Sequence, residues 1–437
     1  MNFQEAESYL LSLGNEVETM KLGLANIRKL LAALGNPETN YLKVQVAGTN
    51  GKGSVCAFLD SICLRAGIKT GVFTSPHLVS ITERVRIGGN DISEEDFTRL
   101  ATLVRETSEK LVANDELETV PTYFEQVTAI ALVAFSEAKV ELGILETGLG
   151  GRYDATTAAN AEIGAITRVD LDHQEYLGET IEEIAAEKAA IIREDSKVVI
   201  LHQSREVERV IVRRCREVGV EPIWATTDIQ IGRDREIAPY LVATFVTETI
   251  NYPNILFMDM LGEHQIENAS IAIGVAEFLN VRGFPVDADA IADGLGHATN
   301  PGRLERIGQK FLLDGAHNVA GANALRAYLD EFVDQPITLI FGAMNDKNVT
   351  EIADILFSKV DKIILTQPSN SRAMSPEQLA KVVPPGIEND RVVQSRSATE
   401  AIKLAKELLP NDGIVLVTGS LYLVGEVRKQ LLTAAGK

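Results

Sequence analysis

Ala47-Gly48-Thr49-Asn50-Gly51-Lys52-Gly53-Ser54 follows the apolar-alternating run Lys43-Val44-Gln45-Val46 and leads into an apolar stretch of helical period. A strand, a glycine-rich turn and a helix in that order make a phosphate-binding loop. Glycines let the backbone turn tightly, so that its N–H groups and the positive end of the next helix face an anion. Thr49, Asn50, Gly51, Lys52, Gly53 and Ser54 are then candidates to hold a nucleoside triphosphate, with Lys52 at the β- and γ-phosphates and the Ser54 hydroxyl on Mg²⁺. The loop departs from G-x-x-x-x-G-K-[ST], because Gly53 separates the lysine from the hydroxyl. A glycine-rich turn without a ligand is the alternative reading.

Outward from the loop, short β-branched runs alternate with amphipathic stretches. Strands are expected at 44–47, 70–73, 142–146, 164–167 and 197–201, and helices at 55–66, 124–138 and 181–192. This is the pattern of a mostly parallel α/β sheet wrapped by helices. Runs at 240–245 and 255–260 lack an intervening helix and predict an antiparallel appendage before a helix from about residue 265 to 279. The segment His297–Gly302 reads as a linker. A second alternation follows, with strands near 311–313, 337–341, 362–365 and 414–418. The fold class expected is an N-terminal P-loop ATPase domain (1–296) and a smaller Rossmann-like α/β domain (303–437). In such sheets ligands bind outside the carboxyl ends of the strands.

At 437 residues two or three domains are expected. The 62 acidic against 42 basic residues, a net charge of −20, and the lack of a Lys/Arg block argue against a nucleic-acid partner. No apolar run of about 18 residues predicts a membrane span, and the first residues lack the pattern of a signal peptide, so a cytoplasmic protein is expected. Cys56, Cys63 and Cys215 are expected to be buried thiols rather than metal ligands or a disulfide.

Several residues carry chemistry. Glu146 ends an apolar run and precedes Thr147-Gly148-Leu149-Gly150-Gly151, the placement of an acidic Mg²⁺ ligand beside phosphates. Asp170-Leu171-Asp172-His173 should leave the next strand on the same edge, which makes His173 a candidate. Lys188 falls in the middle of the apolar stripe 181, 184, 185, 191, 192. Two readings are open: its stem covers apolar surface while the ammonium snorkels out, or burial yields a neutral amine that reacts with CO₂ to a carbamate. Residues alone favour snorkelling. Asp314, in Leu313-Asp314-Gly315-Ala316-His317-Asn318, is placed for ribose hydroxyls or, with Asn318, for a helix cap. Arg303 is a candidate phosphate clamp or a surface ion pair.

Taken together, the chain resembles the folylpolyglutamate synthase and dihydrofolate synthase family of Mur-type ATP-dependent amide ligases. The motifs are Ala47–Ser54, Thr74–Leu78 with Glu83–Ile87, Thr122–Glu125, Glu146–Thr156, Asp172-His173 with Leu177-Gly178, Ala186–Ala189, His264-Gln265 with Asn268-Ala269, Pro301–Arg303 and Leu313–Asn318. The resemblance implies that Thr49, Asn50, Gly51 and Lys52 hold ATP phosphates, that Asn268 contacts the adenine side, and that Arg303 and Asp314 complete the nucleotide site. It implies Mg²⁺ on Ser75, Glu146 and His173 with Lys188 carbamylated, against the snorkelling reading. The pterin side would comprise Leu22, Gly23, Leu24, Thr74, Thr122, Tyr123, Phe124, Glu125, Tyr153, Asp154 and Ala155. Thr157, Ala190, Asn348 and Lys21 depart from the family pattern.

The implied reaction joins L-glutamate to dihydropteroate or a reduced folate in a monomer: ATP phosphorylates the substrate carboxylate, and the amine attacks the acyl phosphate. Lys52 and Mg²⁺ would stabilise the transferring phosphoryl group, and His317 would help hold the acyl phosphate. A peptidoglycan-precursor ligase would carry a UDP-binding domain for which the 47 residues before Gly48 are too few. A nucleotide-driven switch would hydrolyse ATP without any acceptor.

Overall fold

The computed structural model describes residues 1–14, 23–232 and 241–434. The chain divides into two compact units. The first comprises Met1–Gln230, Thr244–Ile255 and Glu267–Ala298; the second comprises Ile231–Ala243, Leu256–Ile266 and Thr299–Lys437.

The first unit is built on eight strands: β1 Leu42–Ala47, β2 Thr70–Phe73, β3 Val85–Ile87, β4 Asn90–Asp91, β5 Leu142–Glu146, β6 Ile163–Ile166, β7 Lys197–Ile200 and β8 Ile223–Trp224, in the order β4-β3-β2-β5-β1-β6-β7-β8. Every pairing from β2 through β8 is parallel, and β3 and β4 close one edge antiparallel. The register sets Val46 opposite Glu146 on one side and Ala165 on the other. β1, β2, β5 and β6 are buried along almost their whole length, as strands covered on both faces must be. One face carries a cluster built around Tyr123–Phe135, Phe97 and Phe73, and another carries Ile166, Ile184, Ile191, Ile192, Val198 and Ile211.

A three-stranded sheet contains β9 Ile229–Gly232, β10 Leu241–Val246 and β11 Asn251–Phe257, in the order β11-β10-β9. The turn between β10 and β11 is closed by Thr247 N–H to Ile250 O at 2.9 Å, and a connection that short leaves only the antiparallel sense for this pair. In the second unit β12 Glu305–Ile307, β13 Phe311–Leu313, β14 Ile337–Phe341, β15 Lys362–Leu365, β16 Val392–Gln394 and β17 Ile414–Thr418 order as β12-β13-β17-β14-β15-β16. All pairings there are parallel except β12 with β13. The class is therefore mixed α/β with two parallel-rich sheets.

One helix ends sooner than its pattern predicts. The helix Ile181–Ala189 stops short of Ile192 because the Glu187 carbonyl is taken by the Arg152 N–H at 3.0 Å, and Ile192 N–H closes a tighter turn onto Ala189 O. Ile191 and Ile192 still turn into the core. Among the described residues no helix is long and apolar enough to cross a membrane, and Cys56, Cys63 and Cys215 are buried free thiols.

Candidate active site

Because β1, β2, β5 and β6 run parallel, their carboxyl ends share one edge. The segments Gly48–Ser54, Thr74-Ser75, Thr147–Asp154 and Thr167–His173 therefore leave the sheet together. β1 is also where the chain changes side, with β5 and β2 to one side and β6 and β7 to the other, the crevice position of open α/β sheets.

The loop after β1 is shaped by close approach. Gly51 has φ of +92°, and a Cβ there would overlap the Asn268 amide oxygen; a Cβ on Gly48 would overlap the Thr167 hydroxyl. Thr49 N–H and Asn50 N–H both donate to Arg168 O, at 2.8 and 3.3 Å. The Thr49 hydroxyl bonds Asp170 O, Asn50 Nδ2 bonds Asp170 Oδ2 at 3.1 Å, and the Thr167 hydroxyl donates to Asn50 O at 2.7 Å. Thr49 and Asn50 thus anchor the loop with their main-chain donors directed at residue 168. The helix Lys52–Arg65 that follows opens at Gly51 without a side-chain cap. Its first-turn N–H groups and dipole are the loop's anion-binding end.

Lys188 does not snorkel. It is 4% exposed, and its ammonium donates to Gly48 O at 2.8 Å, the carbonyl that also accepts from Lys52 Nζ at 3.2 Å. Burial, and next the neighbouring Lys52 charge, pull its pKa down to about 7 from 10.5, with Asp172, Asp154 and Asp170 opposing. The amine thus lies against the carbonyl of Gly48 in the phosphate loop, with burial disfavouring its charged form.

Glu146 is buried and accepts Ser75 N–H at 3.1 Å. His173 adopts φ of +50°, with Nε2 3.8 Å from Asp172 Oδ2. No group of three or more His, Cys, Asp or Glu is placed to hold a metal among the described residues. The expected donors are instead mixed: the Ser54 and Ser75 hydroxyls, the Glu146 carboxylate, the His173 imidazole and Lys188. A Mg²⁺ ion that keeps waters and phosphate oxygens needs only one or two carboxylates from the protein, and the buried Glu146 is of that kind. Lys188 joins that set only as a carbamate.

The turn after β5 is organised by Asp154. Its Oδ2 accepts Gly148 N–H and Leu149 N–H at 2.8 and 2.9 Å, and its Oδ1 accepts Thr156 N–H at 3.0 Å. Burial pushes its pKa up and these bonds pull against that. Tyr153 beside it is 41% exposed, while Ala155 is buried. Thr122 and Glu125 form a reciprocal capping box at the start of the helix Tyr123–Ala138. Tyr123 is buried with the Arg84 guanidinium 5.4 Å from its ring centre. Phe124 lies against Phe73 at 5.7 Å and against Gly148, where a Cβ would strike its ring at 2.6 Å. Thr74 N–H donates to Arg84 O. Gly23 has φ of +145°, Leu24 packs on the N-terminal core cluster, and Leu22, like Lys21, lies outside the described residues.

In the second unit, Asp314 is buried and accepts Leu304 N–H and Ala316 N–H at 3.0 and 2.9 Å. Burial raises its pKa and Arg303 opposes this. The helix Val319–Phe332 is capped by Asn318, not by Asp314. His317 Nδ1 donates to Gly315 O at 2.7 Å, which places the neutral ring's proton on Nδ1.

Three departures from the family pattern have local reasons. Thr157 donates to Gly151 O at 2.6 Å and accepts from Gln45 Nε2 at 2.7 Å. Ala190 has φ of −64°, so its position needs no glycine. Asn348 caps the helix Val349–Phe357 as an aspartate would. Sequence reasoning assigned no role to Thr167, Arg168, Asp170 or Gln203, which hold the loop. Their signal, a polar run after a strand, does not say which distant turn it supports.

This edge and fold define a Mur-type ligase: the Mur ligase middle domain matches residues 46–276, and the Mur ligase glutamate ligase domain matches 302–421. The dihydrofolate synthase/folylpolyglutamate synthase of Bacillus subtilis is 35% identical over 438 residues, covering 98% of this chain and 99% of that one. The crystal structure of Mycobacterium tuberculosis folylpolyglutamate synthase complexed with ADP and AMPPCP is similar at a TM-score of 0.88 and 30% identity, over 98% of this chain and 99% of that one. Escherichia coli FolC in complex with DHPP and ADP is similar at 0.86 and 28%, over 100% and 99%. The chain belongs to the dihydrofolate synthase/folylpolyglutamate synthase family and is an ATP-dependent acid–amino acid ligase using a divalent metal ion.

Proposed function

We propose that this protein joins L-glutamate to the carboxylate of dihydropteroate, of a reduced folate, or of both. The observation that carries the reading is a phosphate loop with Lys188 buried beneath it, in a chain matched along its whole length by such ligases. A carboxylate resists nucleophiles, so one of its oxygens first attacks the γ-phosphorus and ADP leaves. The glutamate amine then attacks the acyl carbon, loses a proton, and displaces inorganic phosphate.

In this reading Gly51, Lys52, Gly53 and Ser54 face the phosphates while Thr49 and Asn50 brace them, Asn268 lies on the adenine side, and Lys52 neutralises charge on the transferring phosphoryl group. Mg²⁺ held by Ser54, Ser75, Glu146, His173 and carbamylated Lys188 would supply further charge stabilisation. Phe124 and Tyr153 offer ring surfaces for a pterin, and Asp154 shapes the turn that presents Tyr153. Arg303 and Asp314 serve the nucleotide, and His317 the acyl phosphate. Residues 1–296 carry ATP binding and catalysis, 297–302 the linker, and 303–437 the second ligase domain of a cytoplasmic monomer.

ADP release tests this: the protein with MgATP and L-glutamate should turn over with dihydropteroate, tetrahydrofolate or both, and stay silent without the pterin carboxylate. Silence with both pterins in protein that binds ATP would assign the scaffold to a different carboxylate. ADP release without any acceptor would make it a switch.

A further inference from the structure

The bracing of the phosphate loop extends to a pair of side chains outside the expected site. Arg168 accepts Thr49 N–H and Asn50 N–H through its carbonyl, and its guanidinium grips Glu267 with two hydrogen bonds, Nη2 to Oε1 at 2.6 Å and Nε to Oε2 at 3.1 Å. Glu267 immediately precedes Asn268, whose amide oxygen lies against Gly51. The same segment is fixed from behind by Gln203, which accepts Val169 N–H at 2.7 Å and donates to Thr167 O at 3.1 Å. One ion pair therefore ties the turn under Thr49 and Asn50 to the helix that presents Asn268.

Both partners are 42% exposed. A half-exposed ion pair adds only a little to stability, and its two-point form adds orientation as well. What the fork does determine is geometry: a planar guanidinium bound at both nitrogens fixes the distance and angle between its two backbone supports, which a lysine would leave loose.

We infer that Arg168 and Glu267 are positioning residues for the adenine nucleotide, setting the spacing between the phosphate loop and Asn268 without touching the ligand. The inference rests on the proposed nucleotide site.

Calorimetric ADP binding in Mg²⁺ and ATP kinetics, with thermal melting as a control, test it in the wild type, Arg168→Met, Glu267→Gln, Lys52→Ala and the charge-reversed double variant R168E/E267R. Arg168→Met and Glu267→Gln are each expected to weaken ADP binding about fivefold to tenfold and to raise KM for ATP more than they lower kcat, with unchanged melting. The reversed pair should recover most of the affinity. Single variants that bind ADP like the wild type overturn the inference, as does a reversed pair no better than the worse single variant. If the wild type binds no ADP, or Lys52→Ala binds it equally well, it is the nucleotide site itself that fails.

Discussion

Replacing Lys188 by alanine is expected to lower kcat by about 10²–10³ while the protein still binds ADP, because in the proposed mechanism the residue stabilises charge in the reacting complex rather than gripping the nucleotide. Arginine should not substitute: a guanidinium keeps its charge and forms no carbamate. Acetate, small enough for the space the side chain leaves, should restore part of the alanine variant's rate, as a carboxylate standing where the carbamate would be. Full activity of Lys188→Ala without added bicarbonate or acetate would remove the carbamate from the account.

The same residue links site and stability. Folded Lys188 titrates at about 7 against 10.5 for the ordinary side chain. Between those values the unfolded chain binds a proton that the folded chain has released, so stability rises with pH across this window, and the full cost of burial is present below it. A methionine fills similar volume without charge. Metal-free Lys188→Met should therefore be inactive yet more stable than the wild type at about pH 6, by up to about 5 kcal/mol, with the gap closing toward about pH 10. Denaturant titrations at the two pH values check this; a gap independent of pH would mean that Lys188 is not buried as an ammonium.

The second large effect belongs to Lys52. Its Nζ lies 3.2 Å from both Gly48 O and Thr49 O, within the loop it serves. Lys52→Ala is expected to lower kcat/KM for ATP by about 10²–10³, the scale for losing one preorganised charge at a transferring group. It should also raise the pKa of Lys188, because the Lys52 charge is one of the causes that depress it. Isotope-edited NMR of the lysine ammonium would read that shift, and an unchanged Lys188 titration would contradict the coupling of the two residues through Gly48.

Much of this was legible in the chain. Strands 70–73, 142–146, 311–313, 337–341 and 362–365 fall where their apolar-rich runs place them, because each lies inside its sheet with a strand on either side and is largely buried. The short strands β4, β12 and β16 at sheet edges and β3 next to one, of two or three residues each, carry too little pattern to be read. The stripe around Lys188 put the residue on the buried face of its helix but favoured a snorkelling ammonium, because nothing local shows what covers it. The covering loop lies 140 residues earlier, and local periodicity holds no record of it. The bracing of Thr49 and Asn50 by Arg168 and Asp170 was hidden for the same reason, and the end of the 181–189 helix depended on one N–H donated by Arg152.

The most direct test of the ligase chemistry is an oxygen-transfer measurement. The reactive carboxylate of the pterin substrate is labelled with ¹⁸O, turned over with MgATP and L-glutamate, and the released inorganic phosphate is analysed by mass. An acyl phosphate requires one carboxylate oxygen to leave with the phosphate, so each phosphate should carry one ¹⁸O in step with amide formed. Unlabelled phosphate accompanying amide formation would contradict the account.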